Sequence, residues 1–217
     1  MAVMNVNPTR MELTNLKRKL NTARRGHKLL KDKRDELMRR FMILVRENKE
    51  LRQKVETAIA EANTHMAVAR SVMSDAEINS SLMMPMQQME VDIEERNVMS
   101  VLIPEYKTSL KTAEAADIYP YGFAFTSSDL DGAVAYISGI LPDLLKLAET
   151  EKACMLMADE IEKTRRRVNA LEHVMIPRYE ETIKYISMKL EENERGATTR
   201  IMKVKDMMLQ AARENKQ

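Results

Sequence analysis

The chain has 217 residues, of which 31% are charged and only 4% aromatic, with no Trp, 5 Gly and 6 Pro. Two packed layers around a thick core need more aromatic volume and turn punctuation than this, while an apolar share of 44% is too high for a disordered chain. The formal net charge of +2 conceals an asymmetry, since residues 10–54 carry 16 Lys/Arg against 6 Asp/Glu and residues 75–131 carry 3 against 11. A helical rod with a basic part and an acidic part is the expectation, with different partners at different heights. Cys154 is the only cysteine, which rules out an intrachain disulfide and points to a reducing compartment. No stretch approaches the roughly 18–20 apolar residues of a membrane span, and the first ten residues lack the basic start and apolar run of a secretory signal. No direct membrane insertion is expected.

The first helix has two overlapping start signals. Asn7 is placed to cap it with Pro8 at the first helical position, and Thr9-x-x-Glu12 matches a capping box. A spacing of three and four then holds one phase through Leu13, Leu16, Leu20, Ala23, His27, Leu30, Arg34, Leu37, Phe41, Leu44, Asn48, Leu51, Val55, Ala58 and Ala62. Seven heptads in one phase are coiled-coil geometry. The polar members His27, Arg34 and Asn48 are candidate register residues, since a polar seam position weakens packing but fixes alignment and strand number. The signal fades after Val72, and Asn79-Ser80-Ser81 with Pro85 marks an exit. Glu90–Ile103 alternates in pieces and predicts one or two short strands ending at Pro104. Tyr119-Pro120-Tyr121-Gly122-Phe123 predicts a turn and a further strand.

The second helix is expected from Ser127 or Ser128, with Asp129 and Asp131 in its first turn, where carboxylates suit the helix dipole. Its stripe reads Leu130, Val134, Ile137, Leu141, Leu144, Ala148, Glu151, Met155 and Ala158, then shifts phase to Ile161, Thr164, Val168, Leu171 and Met175. Pro142 and Pro177 each remove a backbone donor and predict a local bend. The fold class that follows is all-α dominated: a long antiparallel two-helix coiled coil with a small, hairpin-like β insertion. Its parts are an N-terminal long helix (1–74), an acidic insertion with short strands (75–127) and a C-terminal long helix (128–217).

Catalytic signatures are missing. The sequence has no GxxxxGK[ST] loop, no HExxH and no CxxC, and His27, His65 and His173 are dispersed. No catalytic residue, cofactor or metal is expected, and Cys154 reads as a buried thiol on a helix face. Met83, Met84, Met86 and Met89 cluster beside the acidic segment and form a candidate partner surface. The basic first helix raises a nucleic-acid-binding rod as an alternative, but its one aromatic, Phe41, is on the seam, and no groove-reading module is present. A generic coiled-coil tether or adaptor is the other alternative.

Three stretches carry a family resemblance: Asn7-Pro8-Thr9-Arg10-Met11-Glu12-Leu13, then Arg25 through Leu37 with its Gly26-His27-Lys28, then Met157 through Glu172 with its Arg165-Arg166-Arg167. In this order, with an acidic insertion between them, they resemble the D subunit of the V-type/A-type ATP synthases, the central rotor shaft. The Ile176-Pro177 step and the Lys189–Arg195 run extend the likeness. The resemblance implies a non-catalytic monomer within a hetero-oligomer, peripheral to the membrane on its cytoplasmic side. It would carry torque between ATP hydrolysis or synthesis and ion transport, of protons or sodium, by the membrane ring. The partners implied are the A and B subunits of the ATPase head, the F subunit and a funnel-shaped subunit on the rotor ring, with no nucleic acid. Arg10, Arg24, Arg25, Lys28, Arg165, Arg166 and Arg167 are then the candidate contacts to the head.

Overall fold

A computed structural model describes residues 4–111, 118–122 and 126–214. The elements in chain order are α1 (Arg10–Val72), α2 (Asp75–Ser81), strands β1 (Met89–Val98) and β2 (Val101–Leu110), α3 (Ser128–Ala170), a π-helical turn (Leu171–Met175) and α4 (Ile176–Glu214). The fold is a helical coiled coil carrying one antiparallel two-stranded hairpin. It divides into two compact units, one built from residues 1–34 and 163–217 and the other from residues 35–162.

In the first unit the leading part of α1 runs antiparallel to α4, because partners ascend on one helix as they descend on the other. Arg10 pairs with Glu194, Arg24 with Glu180 at 2.6 Å, and His27 with Glu172 at 3.2 Å. Leu16, Thr164, Val168, Thr182 and Ile186 are buried. The start of α1 is set by Thr9, whose hydroxyl accepts from the Glu12 N–H at 3.2 Å, so the second of the two start signals prevails. Thr182 is fully satisfied: its hydroxyl donates to the Arg178 carbonyl at 2.7 Å and accepts the Met4 N–H at 3.2 Å. The π-helical turn has a local cause in Pro177. Without an N–H, Pro177 offers nothing to the His173 carbonyl one α-turn back. The preceding turn widens, and the Ile176 N–H reaches the Leu171 carbonyl five residues away.

Among the described residues the second unit holds three apolar clusters. Val55 and Ala62 of α1 meet Ile140 of α3, with Leu144 and Leu147 around them. Ala69, Met73, Ile78 and Leu130 form a second, which Tyr121 covers. Leu37, Met157 and Ile161 form the third, and the hairpin docks there through Val98, Met99, Val101 and Ile103. The short α2 carries a complete capping box, with the Ser74 N–H donating to Glu77 Oε2 at 2.9 Å and the Glu77 N–H to the Ser74 hydroxyl at 3.4 Å.

All fifteen positions of the α1 stripe are at least half-buried. On α3 the expected stripe needs correction. Ile137, Leu141 and Met155 are 49%, 37% and 61% exposed, and Ala148, Glu151 and Ala158 are exposed too. The buried positions are Leu130, Ala133, Ile140, Ala153, Met157 and Ile161, continuing to Thr164 and Val168 without the expected phase shift. The seam on α3 follows the frame of Ala133, Ile140, Ile161 and Val168, spaced by multiples of seven, and not the frame of Leu141, Ala148 and Met155 one position on. The strand reading also needs correction. β2 continues through Pro104 to Leu110. Pro104 faces Glu95 at a ladder position where neither backbone points at the other strand, so its missing N–H costs the ladder nothing. Residues 119–122 hold no strand; Tyr121 instead donates its hydroxyl to Asp131 Oδ1 at 2.8 Å. Phe123 lies outside the described residues.

The hairpin closes through Met99 and Ser100, whose φ values of 53° and 71° place both in the left-handed region, as a two-residue type I′ connection requires. Neither is glycine, so each position carries about 1 kcal/mol of strain. Ser100→Gly is expected to raise stability by about 1 kcal/mol in chemical denaturation. Met99→Gly yields no such gain, because Met99 also packs against the Leu37 cluster. In the first unit, Thr164 Oγ1 is buried with no hydrogen-bond partner among the described residues. Thr164→Val keeps the branched shape and removes the orphaned hydroxyl, and is expected to stabilise by about 1 kcal/mol, read as a higher Tm.

Candidate functional site

The cations nominated from sequence divide into two groups. Arg10 and Arg24 reach across to Glu194 and Glu180 of α4. They clasp the helices of the first unit, each pair exposed on both sides and therefore worth little in isolation. Arg25 and Lys28 on α1, and Arg165, Arg166 and Arg167 on the last turns of α3, are exposed. Residues 24–28 and 165–167 all belong to the first unit, so both basic runs that carried the resemblance fall in one compact body. Further along α1, Arg39 and Arg40 converge on Glu36, with contacts of 2.9 Å, and hold its carboxyl down to about 2. That local clamp escaped the sequence reading, although Glu followed by Arg three and four positions later is the signal for it.

The three polar seam residues are half-buried. His27 Nε2 lies 3.2 Å from Glu172 Oε2, within the π-helical turn. Asn48 hydrogen-bonds the Cys154 thiol. Burial raises the Cys154 pKa, the carboxylates of Glu151 and Glu47 push the same way, and only the Asn48 contact opposes them. The thiol is thereby kept protonated, which suits a packing role and not a nucleophilic one. Arg34 is half-buried on the same stripe as His27. Met83, Met84 and Met86 are exposed by 80%, 78% and 59%, whereas Met89 is half-buried at the start of β1. A groove of about 300 Å³ runs beside Met86, walled by Leu82, Pro85, Val134, Ile137 and Leu141. Ile137 and Leu141, displaced from the α3 seam, thus lie against the methionine segment.

Replacing Asn48 by Leu fills the seam with an aliphatic side chain and removes the one contact that lowers the Cys154 pKa. The expected outcome is a Tm higher by a few degrees, with slower alkylation of Cys154 at pH 8. An unchanged Tm and unchanged thiol reactivity would contradict the register role.

The family model that describes the D subunit of ATP synthase matches residues 12–206. A V-type ATP synthase D subunit from Acetivibrio thermocellus is 59% identical over 212 residues, covering 98% of this chain and 96% of the relative. One from Clostridioides difficile is 58% identical over 216 residues, covering 100% and 97%, and one from Clostridium novyi is 57% identical over 209 residues, covering 96% and 97%. The match spans both helical arms and the hairpin between them, and the chain belongs to the D-subunit family of ATP synthases.

Proposed function

We propose that this chain is the central stalk component of a V/A-type rotary ATPase. It links ATP hydrolysis or synthesis in the head to ion transport by the membrane ring. The observation that carries this reading is the identity of 57–59% over nearly the whole length to proteins named as the D subunit of V-type ATP synthase. The coiled coil supports it physically. A part that carries torque must resist sliding of one helix along the other. In the first unit ion pairs bridge α1 and α4 at several levels of the seam, and in the second buried clusters lock α1 to α3. A free-standing helix of this length holds its form only by burying its stripe.

The chain itself is non-catalytic, and ATP is turned over on the A and B subunits. The F subunit and a funnel-shaped component of the rotor ring are its other neighbours, and Met83, Met84, Met86 and Met89 offer an adaptable apolar surface to a partner. The chain is peripheral, on the cytoplasmic side; among the described residues no helix is long and apolar enough to cross a membrane. Arg25, Lys28 and Arg165–Arg167 face acidic or polar loops of the head, while Arg10 and Arg24 join them once their clasps to Glu194 and Glu180 open. Charge attraction in a wet bore is re-formed at each step of rotation more readily than dry apolar packing.

Affinity capture of the tagged chain from detergent extracts is expected to retain the A and B subunits and an ion-translocating ring; capture without any of them overturns the reading. Replacing Arg165, Arg166 and Arg167 together by Glu is expected to lower ATPase rate or ion coupling by about threefold or more, with the loss steepest at low salt. Unchanged rate and coupling would remove these cations from the interface.

A further inference from the structure

The hairpin offers a surface that the helical seam does not use. Its ladder has a fixed parity. The Lys111 N–H donates to the Gln88 carbonyl at 2.9 Å, so that pair is hydrogen-bonded. Tyr106, opposite Ile93, donates its N–H away from β1, to Glu149 Oε2 of α3 at 3.4 Å. Bonded and non-bonded positions alternate in an antiparallel pair, so Met89, Val91, Ile93, Glu95 and Asn97 point their backbone N–H and C=O groups away from β2. The outer edge of β2 turns to α3 at Tyr106. The outer edge of β1 faces solvent, and every residue from Glu90 to Asn97 is exposed.

Side chains sort by the same alternation. Val98, Val101 and Ile103 share the face that docks on the Leu37 cluster. Glu90, Asp92, Glu94 and Arg96 of β1 continue that face, with Lys107 and Lys111 paired to Glu94 and Glu90 on the β2 side. The opposite, outward face carries Val91, Ile93, Leu102 and Leu110, exposed by 39%, 65%, 52% and 59%. Charges that only guarded an edge against aggregation would not need an apolar outer face beside them.

We infer that the outer edge of β1 accepts an added strand from a partner polypeptide, an extended segment that alternates aliphatic side chains with Lys or Arg. The outward backbone groups of Val91, Ile93 and Glu95 supply the ladder. Val91 and Ile93 extend their face onto the partner's aliphatic positions. Asp92 meets its cations together with the second oxygens of Glu90 and Glu94, whose first oxygens hold Lys111 and Lys107 of β2 at 3.2 and 2.6 Å. A second copy of this chain is the wrong occupant, because pairing β1 with β1 sets these carboxylates beside one another. The inference rests on the chain being one component of an assembly, and adds where a neighbour attaches and by what chemistry.

Two measurements test it. In the first, the full chain is titrated with blocked, labelled ten-residue peptides: Lys and Val alternating, Glu and Val alternating, and Lys and Val in separate blocks. The alternating Lys/Val peptide is expected to bind about tenfold more tightly than either other, and two variants of the chain are expected to weaken it about tenfold. Ile93→Pro removes an outward N–H without touching a bond to β2, and Glu90→Gln with Asp92→Asn removes two carboxylates while leaving the edge intact. Equal binding of the three peptides, or neither variant weakening the first, overturns the inference. In the second, single-residue amide exchange is compared between the isolated chain and the captured complex. The amides of Val91, Ile93 and Glu95 are expected to slow about tenfold in the complex, while those of Glu90, Asp92 and Glu94 are slow in both. Outward amides that stay fast in a complex that nonetheless forms sink the added strand and leave the stalk assignment standing. Failure to capture a complex sinks that assignment, and the peptide titration then decides the edge alone.

Discussion

The apolar stripe of α1 is the constraint to which the rest of the chain conforms. It holds a single phase from Leu13 to Ala62, with all fifteen positions withdrawn from solvent, and no helix that long keeps its form in water with such a stripe uncovered. Each later element covers part of it or adjusts so that the cover continues. In the first unit α4 lies antiparallel against it and is clasped by ion pairs. In the second, α3 brings Ala, Met and Ile to it, and the hairpin tip closes over Leu37. The π-helical turn belongs to the same logic. Pro177 forbids one α-helical bond, and widening a single turn restores a hydrogen bond to the affected stretch without ending the helix.

What could be read from sequence depended on how many residues voted for one geometry. Along α1 twelve of the fifteen seam positions are apolar and hold one phase for seven heptads, so periodicity alone locates the stripe. Along α3 apolar residues occupy adjacent frames. Ala133 and Val134, Ile140 and Leu141, Ala153 and Met155 all satisfy a spacing of three or four. The buried frame is the one in which Ala133, Ile140, Ile161 and Val168 recur at multiples of seven, and which frame faces α1 is a property of the pair and not of either sequence window. The strands were located by their alternation, but their extent was not. Pro104 reads as a stop unless the ladder parity is known, and parity comes from the turn. Met99 and Ser100 gave no signal, since the usual marks of that turn, Asn and Gly, are absent.

The candidate contacts were legible as residue types but not as geometry. Two basic runs far apart in sequence, Arg24–Lys28 and Arg165–Arg167, fall in one unit, as an antiparallel pairing demands. Sequence did not distinguish Arg10 and Arg24, which are engaged with carboxylates of α4, from their neighbours. Nor did it show that Ile137 and Leu141, nominated for the seam, wall a groove beside Met86. The polar seam positions His27, Arg34 and Asn48 are legible as breaks in an apolar stripe, but the contacts of His27 with Glu172 and of Asn48 with Cys154 are not, because both partners lie far away in sequence.

The turn at Met99–Ser100 bears on the order in which the chain acquires its shape. Two left-handed residues without glycine oppose closure of the isolated loop by about 2 kcal/mol, and a lone two-stranded ribbon is marginal even with a favourable turn. The compensation is the burial of Val98, Met99, Val101 and Ile103 on a platform made by Leu37, Phe41, Leu44 and Met157. That platform exists only after α1 and α3 have met. The ribbon therefore condenses late, onto helices already zipped together, and a nascent chain that has emerged only as far as Leu110 has nothing yet to hold it.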